Sequence, residues 1–203
     1  VQLEIASGFI SAGEYDRAID LLRGLPRSTG PGSGYQREYL LIGALLRKGD
    51  KDGAVAEAKA LLDSSGNDPM ARNLVAGAYA AAGQPDAGRE QLQQALKLKP
   101  NDVAALLGLA RLDLAEGKTA DAERGFRKVL EAEPRNLAAT IGAALAAGAG
   151  GDKAGAEKWL LKAVADHPES LEATLALARF YISNDGLPKA KALLDQKIKK
   201  TPD

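Results

Sequence analysis

The chain has 203 residues, with 27 basic and 27 acidic side chains and no cysteine. The balanced charge provides no net attraction for nucleic-acid phosphates or anionic lipids, so a nucleic-acid partner is not expected. The lack of cysteine excludes disulfides, thiolate metal sites and cysteine nucleophiles, which fits a reducing cytosol or a disulfide-free periplasm equally well.

The first predicted unit covers residues 1–26 and consists of two helices separated by a turn at Gly13. A segment rich in glycine and proline follows, and residues 27–34 are predicted to form a loop between repeats. This loop adds two residues to the spacing of the later units. We therefore expect it to loosen the first hairpin from the rest of the chain.

The remainder of the chain repeats every 34 residues. Prolines recur at this spacing at positions 100, 134, 168 and 202, and each of Asp68, Asp102, Asn136 and Ser170 precedes a predicted helix start. Such polar side chains accept hydrogen bonds from the free N–H groups of a new helix, whereas proline cannot continue one. The predicted units are 35–68, 69–102, 103–136, 137–170 and 171–203.

Each unit also has an internal turn and a small residue in its second helix. Glycine recurs where a turn requires positive φ, at Gly13, Gly49, Gly83, Gly117 and Gly151. Small residues recur in the second helices at Ala18, Ala54, Gly88, Ala122, Ala156 and Ala190, where they allow paired helices to approach closely. The pattern predicts helix, turn, helix in every unit.

These marks resemble the tetratricopeptide repeat (TPR) family, whose 34-residue unit has small residues at the helix crossing, an aromatic residue in the first helix and a closing proline. Phe9, Tyr79 and Tyr181 occupy the aromatic position, and the family's first-helix tryptophan is absent. The resemblance implies an all-α, right-handed superhelical solenoid of about six TPR hairpins. It also implies that the first helices line a concave side on which partners bind.

Projection of the first helices at helical spacing predicts a mostly apolar inner face. Such a strip is typical of a surface for a protein or peptide with an apolar or amphipathic segment, and its arginines suit flanking acidic residues. The alternative is that tighter coiling hides the strip. The predicted partner-binding groove comprises Tyr39, Leu46, Arg47, Met70, Asn73, Leu107, Arg111, Leu114, Ile141, Leu145, Leu175, Arg179 and Ile182.

Four glycines lie inside the predicted first helices, where each costs roughly 1 kcal/mol relative to alanine. They are Gly43, Gly77, Gly108 and Gly142. Their positions indicate either close packing or space that a ligand needs, and a wide hollow would accept a helix.

Residues suited to catalysis are few. His167 is the only histidine and is predicted to be a solvated loop residue. A phosphate-binding loop follows a strand and opens a helix, whereas the glycine-rich string at 30–34 belongs to the predicted inter-repeat loop and the string at 148–153 to the turn between two helices. Trp159, on a second helix, is predicted to pack between repeats. We therefore predict no enzyme activity, no cofactor and no metal site.

The alanine- and leucine-rich units are also similar to bacterial TPR lipoproteins of exopolysaccharide export and PEP-CTERM sorting systems. That resemblance implies a scaffold of the periplasm or cell envelope, with a cytoplasmic location as the alternative. A second interpretation is a regulatory TPR domain that recruits substrates for a larger enzyme. No predicted segment is long enough to cross a bilayer. We expect the parent protein to continue beyond both ends, and the fragment to self-associate weakly end to end through its last helix.

Overall fold

The computed structural model describes residues 1–30 and 34–200. Within these ranges every regular element is an α-helix, which confirms the all-α repeat fold. The middle of the predicted loop and the last predicted mark, Pro202, lie outside the described residues. The twelve helices of the described ranges are α1 (Gln2–Ser11), α2 (Tyr15–Arg23), α3 (Gln36–Lys48), α4 (Lys51–Ser65), α5 (Pro69–Ala81), α6 (Pro85–Leu98), α7 (Val103–Ala115), α8 (Thr119–Ala132), α9 (Leu137–Ala149), α10 (Lys153–Asp166), α11 (Leu171–Ser183) and α12 (Leu187–Lys200).

The helices belong to two compact units, one covering Val1–Gly108 and the other beginning at Leu109. In the first unit α1 packs on α2, α3 on α4 and α5 on α6, and the first helices α1, α3 and α5 also contact one another in order. In the second unit α9 packs on α10 and α11 on α12, while α9 contacts α11. Within each unit the first helices therefore lie side by side. No helix of the described residues is long and apolar enough to span a membrane.

The turns inside the hairpins form as predicted. The glycines at positions 13, 49, 83, 117 and 151 have φ values of 78°, 90°, 86°, 75° and 89°. This left-handed conformation directs the next N–H back to the helix, so that Asp50 N donates to Leu45 O at 2.9 Å. In the last hairpin Asp185 takes the same role with φ 59°, and Gly186 N donates to Tyr181 O at 2.7 Å.

Replacement of Asp185 by glycine is expected to stabilise the last hairpin. A left-handed conformation is strained for a residue with a Cβ and free of strain for glycine, although glycine loses more backbone entropy on folding. We expect Asp185→Gly to raise the free energy of unfolding by about 0.5 kcal/mol. Urea titration followed by circular dichroism measures the change, and Gly151→Asp, the reverse substitution in the preceding turn, should lower stability. A loss of stability in Asp185→Gly would contradict the strain argument.

The small residues of the second helices lie at the helix crossings. All five alanines of the series are buried. At Gly88 a Cβ would lie 2.9 Å from the backbone oxygen of Ala76, so α5 and α6 meet too closely for even one methyl group. Three of the four predicted helix caps form, because Asp68, Asn136 and Ser170 accept from Met70 N, Ala139 N and Ala173 N at 2.8, 2.9 and 3.1 Å. The Asp102 carboxylate instead accepts from Asn73 Nδ2 and Lys99 Nζ.

The expected loosening of the first hairpin is wrong, because the described part of the first join is fastened by buried polar side chains. Arg37 Nε donates to the carbonyl oxygens of Leu22 and Leu25 at 2.9 and 3.2 Å, and one of its terminal nitrogens lies 3.1 Å from Glu38 Oε1. The same Glu38 oxygen accepts from Ser28 N at 3.0 Å. Arg37 and Glu38 are only 5% and 3% exposed. Together they tie the end of the first hairpin to α3.

Tyr35 provides a second attachment at this join. Its ring is buried, and its hydroxyl lies 2.7 Å from Asp68 Oδ2 and 2.8 Å from Gly30 O. Because Asp68 is the cap of α5, the tyrosine links the loop to the following repeat boundary. Tyr35 adopts φ 48°, a left-handed conformation that non-glycine residues adopt only when the surroundings hold them there.

Candidate functional site

A groove of about 680 Å³ opens on the first helices of the first unit. Its walls are mainly apolar, and three neighbouring helices, α1, α3 and α5, contribute them. The lining residues are Ser7, Ile10, Ser11, Tyr39, Leu40, Ile42, Gly43, Leu46, Arg47, Asn73, Leu74, Gly77 and Ala78. We call this surface the first groove.

Four of the predicted site residues line the first groove, namely Tyr39, Leu46, Arg47 and Asn73. Tyr39 is 65% exposed, although its ring is large and mostly apolar. Arg47 is exposed in the last turn of α3, and among the described residues its guanidinium has no hydrogen-bond or ion-pair partner. Met70 lies beside the groove, in a smaller depression of about 280 Å³ that it shares with Tyr39 and Leu74.

Asn73 lines the first groove and is also bonded within the chain. Its Nδ2 donates to Asp102 Oδ2, so the amide group is anchored to the next repeat boundary. A carboxylate only accepts hydrogen bonds, and the amide must therefore turn its nitrogen toward Asp102. The Asn73 oxygen is left buried, with no hydrogen-bond partner among the residues that the structure describes. An unpaired buried acceptor is unfavourable, and a donor from a bound molecule would satisfy it.

The four glycines of the first helices divide into two kinds. At Gly108 a Cβ would lie 2.8 Å from the side chain of Leu92, and at Gly142 it would overlap the ring of Phe126, so close packing accounts for both. At Gly43 and Gly77, apart from the neighbouring backbone of the same helix, no atom of the described residues lies within 4 Å of such a Cβ. These two glycines face the open space of the first groove, and internal packing does not explain them.

A second groove, also about 680 Å³, lies within the second unit. It brings together four other predicted residues, Ile141, Leu145, Leu175 and Arg179, from α9 and α11. Leu145 is 57% exposed, and the Arg179 guanidinium has no partner among the described residues. The other lining residues are Ala144, Gly148, Ala149, Ala156, Leu160, Leu171, Glu172, Ala176, Phe180, Ser183 and Asn184. We call this surface the second groove.

The remaining predicted residues line neither groove. Leu107 and Leu114 are half-buried on α7, and Arg111 is exposed on the same helix. Ile182 is exposed near the end of α11. Their part in partner binding stays a prediction. The last helix shows an exposed Ile198, but weak end-to-end self-association likewise stays a prediction.

Sequence reasoning missed several lining residues. Ser7, Ile10 and Ser11 of α1 were overlooked because the projection began at the second hairpin, although the turn at Gly13 places α1 in the same register. Leu160 lies on a second helix, α10, and also lines the second groove, which no projection of first helices can show. Helix periodicity was thus a sufficient signal for the three residues of α1 but not for Leu160.

His167 and Trp159 both make contacts within the fold. His167 is half-buried rather than fully solvated, and its Nε2 lies 2.7 Å from Arg135 O in the preceding inter-repeat turn. Trp159 is half-buried and packs on the cluster of Ala144, Leu160 and Leu177, as predicted. The Arg127 guanidinium lies 5.7 Å from the centre of its ring. Both side chains therefore take part in contacts between neighbouring segments of the second unit.

Structural comparison supports the repeat fold. A thermophilic TPR protein from Thermus thermophilus aligns with a TM-score of 0.72 at 18% identity, covering 89% of this chain and 97% of its own. A TPR protein from Parabacteroides merdae ATCC 43184 gives 0.69 at 18%, covering 100% and 79%. MamA from Desulfovibrio magneticus RS-1, from its residue 41 onward, gives 0.62 at 20%, covering 80% and 92%. At these identities the likeness concerns the fold alone.

Sequence comparison identifies the family. No curated protein matches the chain significantly. One tetratricopeptide repeat model matches residues 79–124, and another matches residues 3–69 and 107–170, which together are more than half of the chain. The periodic prolines and caps, the left-handed turns and the tightly crossed hairpins all agree with these matches. The chain belongs to the tetratricopeptide repeat family.

Proposed function

We propose that the chain is a non-catalytic protein-binding scaffold whose two grooves hold apolar or amphipathic segments of partner proteins. The observation that carries the proposal is the exposure of large apolar side chains inside concave surfaces, with Tyr39 in the first groove and Leu145 in the second. Removal of such surface from water contributes about 25 cal/mol per Å². A partner side chain that covers either residue therefore contributes to affinity.

The charges of the grooves favour a partner with acidic residues next to its apolar ones. Among the residues that the structure describes, Arg47 alone brings a charge to the lining of the first groove. In the second groove Arg179 and Glu172 are both present, and no ion pair joins them. A guanidinium without a partner can receive a carboxylate in a two-bond geometry, which lysine cannot match. Acidic residues of the partner would also fix its direction along each groove.

A finer proposal concerns where the scaffold acts. The similarity of the alanine- and leucine-rich units to envelope TPR lipoproteins supports a role in exopolysaccharide export or protein sorting at the bacterial cell envelope. The alternative is a regulatory domain that recruits substrates to an enzyme. Site-specific photocrosslinking from position 39 in the parent organism distinguishes the two, because the first predicts crosslinks to export or sorting components and the second to enzyme substrates.

The groove proposal predicts that binding depends on exposed groove side chains. Peptides selected by display against the whole chain are expected to bind Tyr39→Asp/Leu145→Asp at least tenfold more weakly, because each aspartate leaves a buried charge beneath the apolar segment. Fluorescence anisotropy measures the affinity, and circular dichroism checks the helices. Leu161→Asp is the matched control, since Leu161 is 48% exposed and lines neither groove. Unchanged affinity of every selected peptide for the folded double variant would sink the proposal.

A further inference from the structure

Gly43 and Gly77 lower the helical stability of the first unit without any packing reason. They lie inside α3 and α5, where alanine would favour the helix, and both have open space where a Cβ would stand. In the second unit the residues at the same register, found by adding 34 repeatedly to position 77, are Arg111, Leu145 and Arg179. Two neighbouring positions of the first groove therefore have no side chain, whereas the equivalent positions of the second unit have large ones.

Two further observations at the first groove indicate a bound molecule. Within the described part of the chain, the Asn73 oxygen is a buried acceptor without a hydrogen-bond partner, and the Arg47 guanidinium is a cation without an ion-pair partner. Neither follows from the glycines, since Asn73 lies in the second turn of α5 and Arg47 in the last turn of α3. A single occupant that fills the space over the glycines, donates to Asn73 and presents an acid to Arg47 would satisfy all three.

The spacing of the helices specifies the shape of this occupant. Neighbouring packed helices lie about 8–10 Å apart, so the empty positions of α3 and α5 are separated by roughly that distance. Seven residues of an α-helix advance about 10.5 Å and return to nearly the same face. A helix laid across α3 and α5 would thus place side chains seven residues apart over the two glycines.

We infer that the first groove binds an amphipathic helix of a partner protein, with two large apolar side chains seven residues apart seated over Gly43 and Gly77 and a carboxylate paired with Arg47. The inference rests on the proposed function and adds the shape, spacing and charge of the ligand. A side chain with an N–H group, such as glutamine, next to the apolar pair would donate to the Asn73 oxygen. The two glycines are then determinants of specificity, since any larger residue occupies the ligand's space.

A synthetic helix tests the inference. The probe is a fluorescein-labelled peptide of about 18 residues, or five helical turns, built on alanine and glutamine with two leucines seven apart and one glutamate. The wild-type chain is expected to bind it at least tenfold more tightly than a version with alanines for the leucines. A version broken by a central proline should also bind at least tenfold more weakly, since it cannot form the helix.

Glycine variants locate the binding. Gly43→Leu/Gly77→Leu should keep the helices, melt at an equal or higher temperature, and lose at least tenfold in affinity for the leucine probe. Gly8→Leu is the matched control, because Gly8 is an open glycine of α1 that does not line the groove. If the leucine variant fails to fold, Gly43→Ala/Gly77→Ala replaces it, and its ratio of affinities for the leucine and alanine probes should shift toward the alanine probe.

Three results would overturn the inference: no binding of the leucine probe by the wild-type chain, equal binding of the proline-broken probe, or unchanged affinity in the folded glycine variant. In each case the proposed function stands if display-selected peptides still depend on Tyr39 or Leu145. The proposed function is contradicted separately if the affinity of those peptides does not depend on either Tyr39 or Leu145.

Discussion

Arg37→Met is expected to lower the free energy of unfolding by about 3–5 kcal/mol, the usual loss when one partner of a buried ion pair is removed. Arg37 and Glu38 are almost completely buried, and Arg37 also satisfies the carbonyl oxygens of Leu22 and Leu25. Without the guanidinium, Glu38 keeps a buried charge and the two carbonyl groups lose their donor. Urea denaturation followed by circular dichroism measures the change.

Two controls identify the cause of that loss. Arg47→Met removes an exposed arginine without a partner among the described residues, and we expect a change within about 0.5 kcal/mol. Arg37→Met/Glu38→Gln removes both charges and should recover part of the stability, because no ionised group is left buried alone. A double variant that is less stable than Arg37→Met would contradict the explanation by an orphaned charge.

The same pair gives the stability a defined pH dependence. Burial alone would raise the pKa of Glu38, but hydrogen bonds from Ser28 and Arg37 outweigh it and hold the pKa below its ordinary value of 4.5. A carboxyl group with a lowered pKa in the folded state stabilises the fold above that ordinary value. This contribution is lost as the pH falls through the lowered folded-state pKa. The stability difference between wild type and Glu38→Gln should accordingly be full near pH 6 and shrink below pH 4.5.

The regular part of the fold could be predicted because each repeat marks its own turns, caps and crossings with local chemistry. Positive φ at Gly49 or a cap at Asn136 depends on a few neighbouring residues, so the sequence pattern contains it. The exception at position 185 has a local explanation as well. Asp185 replaces glycine without changing the turn, because aspartate tolerates the left-handed region better than most residues.

The first join could not be predicted in this way. Its glycine and proline content indicates a loop, and nothing local shows that Arg37 reaches back to the carbonyl groups of the preceding hairpin. Arg37 donates to Leu22, which lies 15 residues away in the sequence, and Tyr35 contacts Asp68, which lies 33 residues away. Contacts between residues so far apart in the sequence depend on how the hairpins stack. They do not recur in the other repeats, so the 34-residue period does not indicate them.

The grooves show the same limit. Helical spacing identified the exposed positions Tyr39 and Leu145, because one projection per helix is enough to separate a buried face from an open one. It could not separate Gly43 and Gly77, which leave space, from Gly108 and Gly142, which are filled by Leu92 and Phe126. All four are first-helix glycines in sequence. Only the neighbouring hairpin decides which of them packs and which of them lines a groove.

Phe126→Ala is expected to destabilise the second unit by about 3–5 kcal/mol, as for other fully buried aromatic residues. Phe126 lies on α8, is 1% exposed, and fills the space that Gly142 leaves on α9. Removal of the ring creates a cavity between the two helices, and the tight crossings nearby limit how far they can move together. Urea denaturation measures the loss, with Leu161→Ala as an exposed control that should cost less than about 1 kcal/mol.

The fit between Phe126 and Gly142 also predicts that the effect of Gly142→Ala on the free energy of unfolding changes sign when the Phe126 ring is removed. In the wild-type chain a Cβ at Gly142 would stand within 2.7 Å of three ring carbons, so Gly142→Ala should destabilise by about 1–3 kcal/mol despite its better helix propensity. After Phe126→Ala the ring is gone, and the same substitution should stabilise by up to about 1 kcal/mol. Gly8→Ala, at an open glycine, should stabilise in both backgrounds. If Gly142→Ala had the same sign with and without the ring, contact with Phe126 would not be the reason for a glycine at position 142.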